Sequence, residues 1–525
     1  MSYLVHHLVQ SAAHRHARRP AVSYQGRSVD YDDLWHQVES IARGFFELGL
    51  RRGERIGIYL EKRIETVISI FATAAAGCVF VPINPILRSR QVAYILSDCN
   101  IRLLVTSQAR AAELAEDLAT CPDLVFVLTV DGVGPAQNGI RPTMVTWDEA
   151  SAIRKDGPLG QMIDSDMAAI LYTSGSTGKP KGVVLSHRNI VAGARSVSSY
   201  LENCADDRIL SVLPLSFDAG LSQLTTAFAV GACVVLHNYM LPGSVVRACA
   251  EEEITGIVGV PPLWIQLAEL DWPQAATQNI RYFANTGGRM PRAVLDRLRA
   301  VLPKARPYLM YGLTEAFRST YLDPAEIDRR PDSIGKAIPN AEILVVRPDG
   351  TLCEPDEEGE LVHRGALVSM GYWNDPERTA ERFRPAPGQT SRLCLSEIAV
   401  WSGDRVRRDT EGFLYFVGRQ DEMIKTSGYR VSPTEVEEFL YSTGDVGAAA
   451  ALGVPHPRLG QAIVVVATPP SDGQLDKDTL LRKCRRGMPQ YMVPLTVVER
   501  EELPRNSNGK IDRKLLATEF INAFE

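Results

Sequence analysis

The N-terminal part of the chain alternates between short apolar runs and longer amphipathic stretches. Short apolar runs predict strands, and apolar residues spaced three and four apart predict helices. The first series of predicted strands is 56–60, 79–81, 103–106 and 124–128, and the second is 208–213, 233–236, 257–260, 282–284 and 307–310. Because helical stretches separate these strands, we expect an α/β fold with parallel, helix-covered sheets in two lobes.

The pattern changes twice in the C-terminal part. After Asp332, short strands with turn signals at 345–348, 359–362 and 413–417 predict a small β-rich region. After Asp421, a helix at 433–441, strands at 448–452 and 462–467, and a helix after Asp476 predict a separate α+β unit.

Composition narrows the class of protein. A 525-residue chain with 45% hydrophobic and 23% charged residues is typical of a globular protein of several domains. A net charge of -6 argues against general nucleic-acid binding but leaves room for a local basic pocket. The nine scattered cysteines include no C-x-x-C pair, which favours a reducing compartment over a disulfide framework or a zinc site.

Two segments bear on location. The N-terminus lacks the apolar run of a signal peptide. Residues 66–87 carry no charge, but Gly77, Pro82, Asn84 and Pro85 interrupt them, so a buried helix followed by a buried strand is a better interpretation than a membrane span. We therefore expect a cytoplasmic protein without a membrane span.

A glycine- and hydroxyl-rich loop follows the predicted strand 167–172. The stretch from Tyr172 to Gly182 reads YTSGSTGKPKG. Glycines let the backbone approach an anion, successive amide N–H groups form an anion-binding concavity, and Lys179 and Lys181 add positive charge. It differs from a Walker A loop because Pro180 stands where that motif has glycine. We interpret it as a phosphate clamp at the start of the second lobe.

Four more stretches carry candidate chemistry. Tyr311-Gly-Leu-Thr-Glu315 follows a strand, at the strand end where open α/β sheets bind ligands. Trp401-Ser-Gly-Asp404 puts an acid on a predicted turn, the segment from Gly418 to Arg430 forms a junction, and Lys510 lies on a glycine-flanked loop. Each has a structural alternative when taken alone: Glu315 could pair with Arg318, Asp404 could cap a turn, and Lys510 could be solvated.

Together and in this order, these stretches resemble the adenylate-forming superfamily of acyl-CoA synthetases, luciferases and nonribosomal peptide adenylation domains. The resemblance covers essentially the whole chain. Within the superfamily the sequence is similar to AMP-forming acyl-CoA ligases of exosortase systems and to free-standing ligases that load proline-like amino acids onto carrier proteins. It implies an N-terminal domain, 1–420, of two α/β lobes and a small β-barrel, and a mobile C-terminal lid, 421–525.

The resemblance also implies an enzyme with two half-reactions. A carboxylate attacks the α-phosphate of Mg-ATP to give an acyl-adenylate and pyrophosphate, and a thiol then displaces AMP. The residues implied to bind ATP are Thr173, Ser174, Gly175, Ser176, Thr177, Gly178, Lys179, Gly287, Gly288, Tyr311, Gly312, Asp404 and Arg419.

Within that set, the resemblance implies that the loop 173–179 binds the β- and γ-phosphates. It implies that Tyr311 stacks on the adenine and that Asp404 binds the ribose hydroxyls. Thr314 is implied to reach the α-phosphate, Glu315 to bind magnesium, and Lys510 to bridge the carboxylate and α-phosphate in catalysis.

The lid is implied to rotate at Asp421. That rotation would withdraw Lys510 and bring the stretch that contains Lys425, Gly428 and Arg430 towards the thiol tunnel.

The substrate question centres on Phe217-Asp218. Many acyl-CoA synthetases of the superfamily have Phe-His here, whereas amino-acid adenylation domains have Phe-Asp, whose carboxylate binds the α-ammonium. A carboxylate in an apolar pocket is costly unless paired with a cation, and a substrate amine or a protein group such as Arg318 would serve. The pocket positions implied by the family are Phe217, Asp218, Ala219, Ser222, Leu263, Ala284, Thr286, Met310, Arg318 and Ser319.

This small, mildly apolar lining favours a small or cyclic amino acid over a long fatty chain. If Arg318 points inward it allows an acidic substrate; otherwise it is a structural partner of Glu315 or Asp218. The leading hypothesis is an amino-acid ligase that loads the phosphopantetheine thiol of a separate carrier protein. The alternatives are an acyl-CoA ligase with CoA as acceptor and, outside enzymes, an inactive nucleotide-binding protein.

Overall fold

The computed structural model describes residues 2–132, 142–152, 159–173, 180–288, 290, 292–388, 394–419, 423–470, 473–504, 511 and 513–524. Within those ranges, no helix is long and apolar enough to cross a membrane. The uncharged segment that raised this question forms a buried helix and a buried strand, as predicted.

The first half of the chain contains elements that alternate as the sequence predicts. In chain order they are α1 (His6–His16), β1 (Pro20–Tyr24), β2 (Arg27–Asp30), α2 (Tyr31–Glu47), β3 (Arg55–Tyr59), α3 (Ile64–Ala75), β4 (Val79–Pro82), α4 (Ser89–Asp98), β5 (Ile101–Thr106), α5 (Gln108–Glu113), α6 (Ala115–Leu118), β6 (Phe126–Thr129), β7 (Thr143–Thr146), α7 (Trp147–Ser151), β8 (Met167–Thr173), β9 (Lys181–Ser186), α8 (His187–Tyr200), β10 (Arg208–Ser211), α9 (Asp218–Val230), β11 (Cys233–Leu236), α10 (Pro242–Glu251) and β12 (Gly256–Gly259).

The second half becomes richer in strands. Its elements are α11 (Pro261–Leu267), α12 (Gln274–Thr277), β13 (Tyr282–Asn285), α13 (Arg292–Val301), β14 (Arg306–Tyr311), β15 (Thr320–Leu322), β16 (Ser333–Ala337), β17 (Ala341–Val346), β18 (Glu358–Gly365), α14 (Pro376–Arg382), β19 (Phe383–Pro385), β20 (Ile398–Arg408), β21 (Leu414–Arg419), β22 (Ile424–Thr426), β23 (Tyr429–Val431), α15 (Pro433–Ser442), β24 (Ala449–His456), β25 (Gly460–Ala467), α16 (Lys477–Gly487), β26 (Thr496–Glu499) and α17 (Arg513–Glu519).

The first sheet has the strand order β7-β6-β5-β3-β4-β8-β9. Its strands are parallel except for β9, which returns antiparallel along β8. The expectation that the loop after residue 173 begins the second lobe is therefore wrong. Since β8 pairs with β4 and β9 pairs with β8, the strands on either side of this loop belong to the edge of the first sheet.

The second sheet is larger and mixed, with the strand order β17-β18-β20-β21-β16-β15-β14-β13-β12-β10-β11-β1-β2. Its parallel centre continues through antiparallel β15 into β16 and the β-rich region. The prediction of a small β-barrel is thus wrong. Within the described ranges these strands extend an open sheet and do not close into a barrel. The far edge is the N-terminal hairpin, in which β1 pairs parallel with β11.

The third sheet contains β23-β22-β25-β24, with β26 beside β25. All of its strands lie after residue 423, where the sequence predicts a separate C-terminal domain. The boundary at 420–421 and the hinge at Asp421 fall outside the described residues and stay predictions.

A continuous apolar core joins the first two lobes. Helices α3 and α9 meet where the rings of Phe71 and Phe228 lie 5.2 Å apart, and the Tyr31 ring contacts Phe228 from α2 at 5.9 Å. Asp30 caps α2 by accepting a hydrogen bond from the backbone N–H of Asp33. This packing fixes the ends of both sheets around one cavity.

Candidate active site

A cavity of about 1690 Å³ lies between the carboxyl ends of the strands and the C-terminal domain. Polar and aromatic residues from all three sheets line it. Those that the sequence predicts for the site are Thr173, Phe217, Asp218, Ala219, Thr286, Gly287, Gly288, Met310, Tyr311, Gly312, Thr314, Arg318, Asp404, Lys425, Gly428 and Arg430. The topology therefore gathers residues that are up to 257 positions apart, from Thr173 to Arg430, in a single chamber.

Glu315 forms the charged centre beside this chamber. It follows β14, and its carboxylate accepts a hydrogen bond from the Tyr372 hydroxyl at 2.7 Å. The same carboxylate forms an ion pair with Lys181, whose Nζ lies 3.3 Å away. Lys181 also donates to the Tyr372 hydroxyl at 2.9 Å. Burial alone would raise the pKa of Glu315, but the charges of Lys181 and Arg430 and the Tyr372 hydrogen bond outweigh it and hold that pKa well below its usual range. Glu315 is therefore ionised, and its predicted pairing with Arg318 is not what the structure has.

The side of the cavity where the sequence predicts adenosine is built from β14 and β20. Tyr311 ends β14, and its hydroxyl donates to Asp404 Oδ2 at 2.5 Å. The expectation that Asp404 sits on a turn is wrong, because it lies within β20. Ser-Gly-Asp is typical of turns, but here Gly403 adopts a positive φ of 70° inside the strand, beside an irregularity in the pairing of β18 with β20. Arg419 pairs with Asp404 through its backbone.

The C-terminal domain presents the β22–β23 hairpin to the cavity. Gly428 lies at its turn with φ of 82°, and a Cβ there would come within 2.9 Å of Val260 Cγ2, so only glycine fits without strain. The Tyr429 ring packs edge-on against Phe217 at 5.2 Å and stacks on Tyr491 at 3.8 Å. The stretch predicted to approach the thiol tunnel thus lies at the site in this conformation.

Asp218 and Arg318 face each other on the side of the cavity where the sequence predicts the acid substrate, hereafter the acid side. Asp218 begins α9, and its Oδ1 accepts from the backbone N–H of Ala219 at 2.7 Å. Its Oδ2 lies 3.7 Å from Arg318 Nη1. Burial raises the pKa of Asp218, and the Arg318 charge opposes that shift. The protein pairing that the sequence left open for Asp218 is the one observed.

Four predicted pocket residues lie outside the cavity lining, packed in the interior: Ser222, Leu263, Ala284 and Ser319. Ser222 contacts Thr226 one helical turn on, and Ser319 contacts His363 Nδ1 at 3.0 Å. The predicted residues Ser174, Gly175, Ser176, Thr177, Gly178, Lys179, Asp421 and Lys510 lie outside the described residues.

Sequence reasoning missed three side chains near the site. Tyr372 lies 57 residues after Glu315. Lys62 lines the acid side of the cavity, with Nζ donating to the backbone oxygens of Val212 at 2.7 Å and Leu213 at 3.3 Å. Tyr491, which stacks on Tyr429, also lines the cavity. The Gly-Tyr-Trp-Asn stretch around Tyr372 and the Glu-Lys-Arg run that follows β3 were the available signals.

The residues present fit a magnesium–nucleotide complex. Magnesium is usually held by one or two carboxylates together with phosphate oxygens. Glu315 supplies one ionised carboxylate, and within the described part of the chain no cluster of three or more metal-binding side chains competes with it. The buried hydroxyl of Thr173, at the end of β8, has no hydrogen-bond partner among described residues and is available to a phosphate oxygen.

Known proteins share this sequence and architecture. The model of the family described as AMP-binding enzyme matches residues 9–373, and that of the AMP-binding enzyme C-terminal domain matches residues 435–510. A feruloyl-CoA synthase from an Amycolatopsis species is 30% identical over 497 residues, covering 94% of each protein.

Solved structures extend the likeness. An o-succinylbenzoate CoA synthetase from Bacillus subtilis, bound with a product analogue, has a TM-score of 0.83 at 25% identity, with 97% of each chain covered. Holo-PA1221, an NRPS protein containing adenylation and PCP domains, has a TM-score of 0.81 at 25% identity, covering 98% of this chain and 84% of that one.

Proposed function

Because the chain belongs to the AMP-binding enzyme family and is an AMP-forming acid–thiol ligase, we propose that it activates a small amino acid and transfers it to the phosphopantetheine thiol of a separate carrier protein. The observation that carries this proposal is the Asp218 carboxylate, which begins α9 and faces the cavity beside small side chains. A buried carboxylate whose protein partner is 3.7 Å away has capacity left for a closer cation. The α-ammonium of an amino acid is such a cation.

The other residues around the chamber take roles that suit adenylation. Tyr311 packs against adenine, and Asp404 accepts hydrogen bonds from the ribose hydroxyls. Thr314 donates a hydrogen bond to the α-phosphate. Glu315 would hold Mg²⁺, and the bound metal would neutralise phosphate charge. Lys510 bridges the attacking carboxylate and the α-phosphate, whose negative charges otherwise repel.

The position of the β22–β23 hairpin supports the second half-reaction. Arg430 brings positive charge close enough to influence Glu315 and Asp218, and Gly428 keeps the hairpin against Val260. In this arrangement the hairpin borders the route by which a thiol reaches the acyl-adenylate. The lid, residues 421–525, would exchange this hairpin for Lys510 by rotating at Asp421.

An ATP–pyrophosphate exchange panel of amino acids and short acyl acids tests the substrate. We expect exchange above background with a small amino acid and a large loss in Asp218→Asn, which keeps the shape and removes the charge. Exchange with acyl acids alone, unaffected by Asp218→Asn, would refute the amino-acid proposal.

The acceptor needs its own comparison, because the feruloyl-CoA and o-succinylbenzoate CoA relatives favour CoA as the alternative. The preformed adenylate is offered CoA, free pantetheine and a phosphopantetheinylated carrier protein in single-turnover reactions. A carrier-specific ligase transfers to the carrier much faster than to CoA. Faster transfer to CoA than to pantetheine and carrier would show that the nucleotide of CoA is recognised, and would replace the carrier proposal.

A further inference from the structure

We propose that the substrate is an acidic amino acid, whose ammonium pairs with Asp218 and whose second carboxylate pairs with Arg318. This inference rests on the proposed function and specifies the class of amino acid. It starts from Arg318, a charged side chain that lines the cavity while only 3% of it is exposed.

The positive charge and the N–H donors of the Arg318 guanidinium have few close acceptors in the protein. Its Nη1 is 3.7 Å from Asp218 Oδ2, which is beyond hydrogen-bond distance, and its buried Nε has no acceptor among the described residues. Guanidinium carries five donors in a rigid fork that matches a carboxylate. A planar anion in the cavity would complete these contacts.

The backbone around Arg318 holds the side chain in this direction. Phe317 has φ of 56° and ψ of -46°, outside the regions that a bulky residue normally occupies. Its ring is fully buried against Gly193, where an added Cβ would come within 2.4 Å of Phe317 Cδ1. Strained conformations persist where the surroundings enforce them, and they concentrate at ligand sites. Because Phe317 is anchored in the core, Arg318 is directed to the chamber.

Charge balance then selects the substrate. Asp218 and Arg318 together are neutral, and once the α-carboxylate of an amino acid has formed the adenylate, the ammonium of a neutral amino acid leaves one positive charge in excess beside this pair. A second carboxylate on the substrate restores neutrality and gives each protein charge an opposite partner. Uncompensated charge is strongly unfavourable in an interior of low dielectric constant. An acidic amino acid is therefore the one that satisfies both residues.

The test is ATP–pyrophosphate exchange with aspartate and glutamate against asparagine and glutamine, which have the same shape without the charge. Hydrogen bonds to charged groups contribute enough for about a 10- to 100-fold preference in kcat/KM for the acid over its amide. Equal or better exchange with the amides would overturn the inference while leaving the proposed amino-acid activity intact. No exchange with any amino acid would instead overturn the proposed function.

Variants separate recognition from folding. Arg318→Gln should invert the acid-to-amide ratio, because the glutamine accepts and donates hydrogen bonds but has no charge. Arg281→Gln is the matched control. Arg281 forms an ion pair with buried Asp207, with 2.7 Å between the nitrogen and the oxygen, and neither residue lines the cavity. Arg281→Gln should lower stability and leave the ratio unchanged. If Arg318→Gln lowers all rates equally, Arg318 is structural and the inference fails; if that variant does not fold, the wild-type ratio decides.

Discussion

Lys62 provides a quantitative test of how the acid side of the cavity is built. Its side chain is buried, its Nζ donates to the backbone oxygens of Val212 and Leu213, and no ion pair of Lys62 exists within the described ranges. Burial lowers the pKa of Lys62 from 10.5 to about 7. We therefore consider Lys62→Met, which keeps the length of the side chain and removes the titrating amine.

The sign follows from proton uptake. Between pH 7 and 10.5 the unfolded chain holds one more proton at Lys62 than the folded chain, so folding becomes more favourable as the pH rises. The slope is about 1.4 kcal/mol per pH unit well inside this window. From pH 7 to pH 9 the wild type should thus gain about 2 kcal/mol relative to Lys62→Met. All other groups titrate in both proteins and cancel in the difference.

The assay is urea denaturation of both proteins at pH 7 and pH 9, followed by tryptophan fluorescence. Lys304→Met, at an exposed lysine, is the control. The difference in its free energy of unfolding from the wild type should be the same at pH 7 and pH 9. A wild-type advantage that is the same at both pH values would refute the reasoning, because it would mean that the Lys62 amine is solvated or paired in the folded protein.

Two further predictions concern the two half-reactions. Lys510→Ala should lower pyrophosphate exchange about 10²–10³-fold, the usual effect of removing one fixed charge from a developing anion, and leave the melting temperature unchanged; near-normal exchange would contradict its role. Gly428→Ala should slow thioester formation in single-turnover reactions about 5- to 30-fold, because a side chain at φ of 82° costs about 1–2 kcal/mol and would press on Val260, while adenylation stays near normal. Gly444→Ala is its control, with a similar φ of 73° and no neighbour within 4 Å of the added Cβ; an equal slowing there would assign the effect to strain alone.

Local pattern predicts much of this architecture. Strand β11 has the predicted bounds, because they depend on residues close in the chain. The pairing of strands depends on distant residues instead. Nothing near β8 indicates that it joins β4 in the first sheet, so the lobe that contains it was assigned wrongly.

The site divides in the same way. Short motifs locate Tyr311 and Glu315, since strand end, turn and acid are contiguous. Their partners are long-range: Tyr372 reaches Glu315 only because β9 and the segment after β18 meet, and Val183 pairs with Tyr372 in an isolated bridge. Asp404 was misplaced because a turn-like tripeptide can also be a bulge within a long strand.

The N-terminal hairpin has a consequence for how the protein is made. The hairpin of β1 and β2 completes the second sheet through the pairing of β1 with β11, so about 200 residues of chain must follow before the partner strand exists. At a synthesis rate of about 5–20 residues per second, β11 is made roughly 10–40 s after the hairpin, and the pairing edge of β1 stays exposed during this time. Deleting residues 2–30 would remove this wait and uncover β11, converting the new edge into a surface on which nascent chains associate. The first strands to be synthesised are thus among the last to find their place.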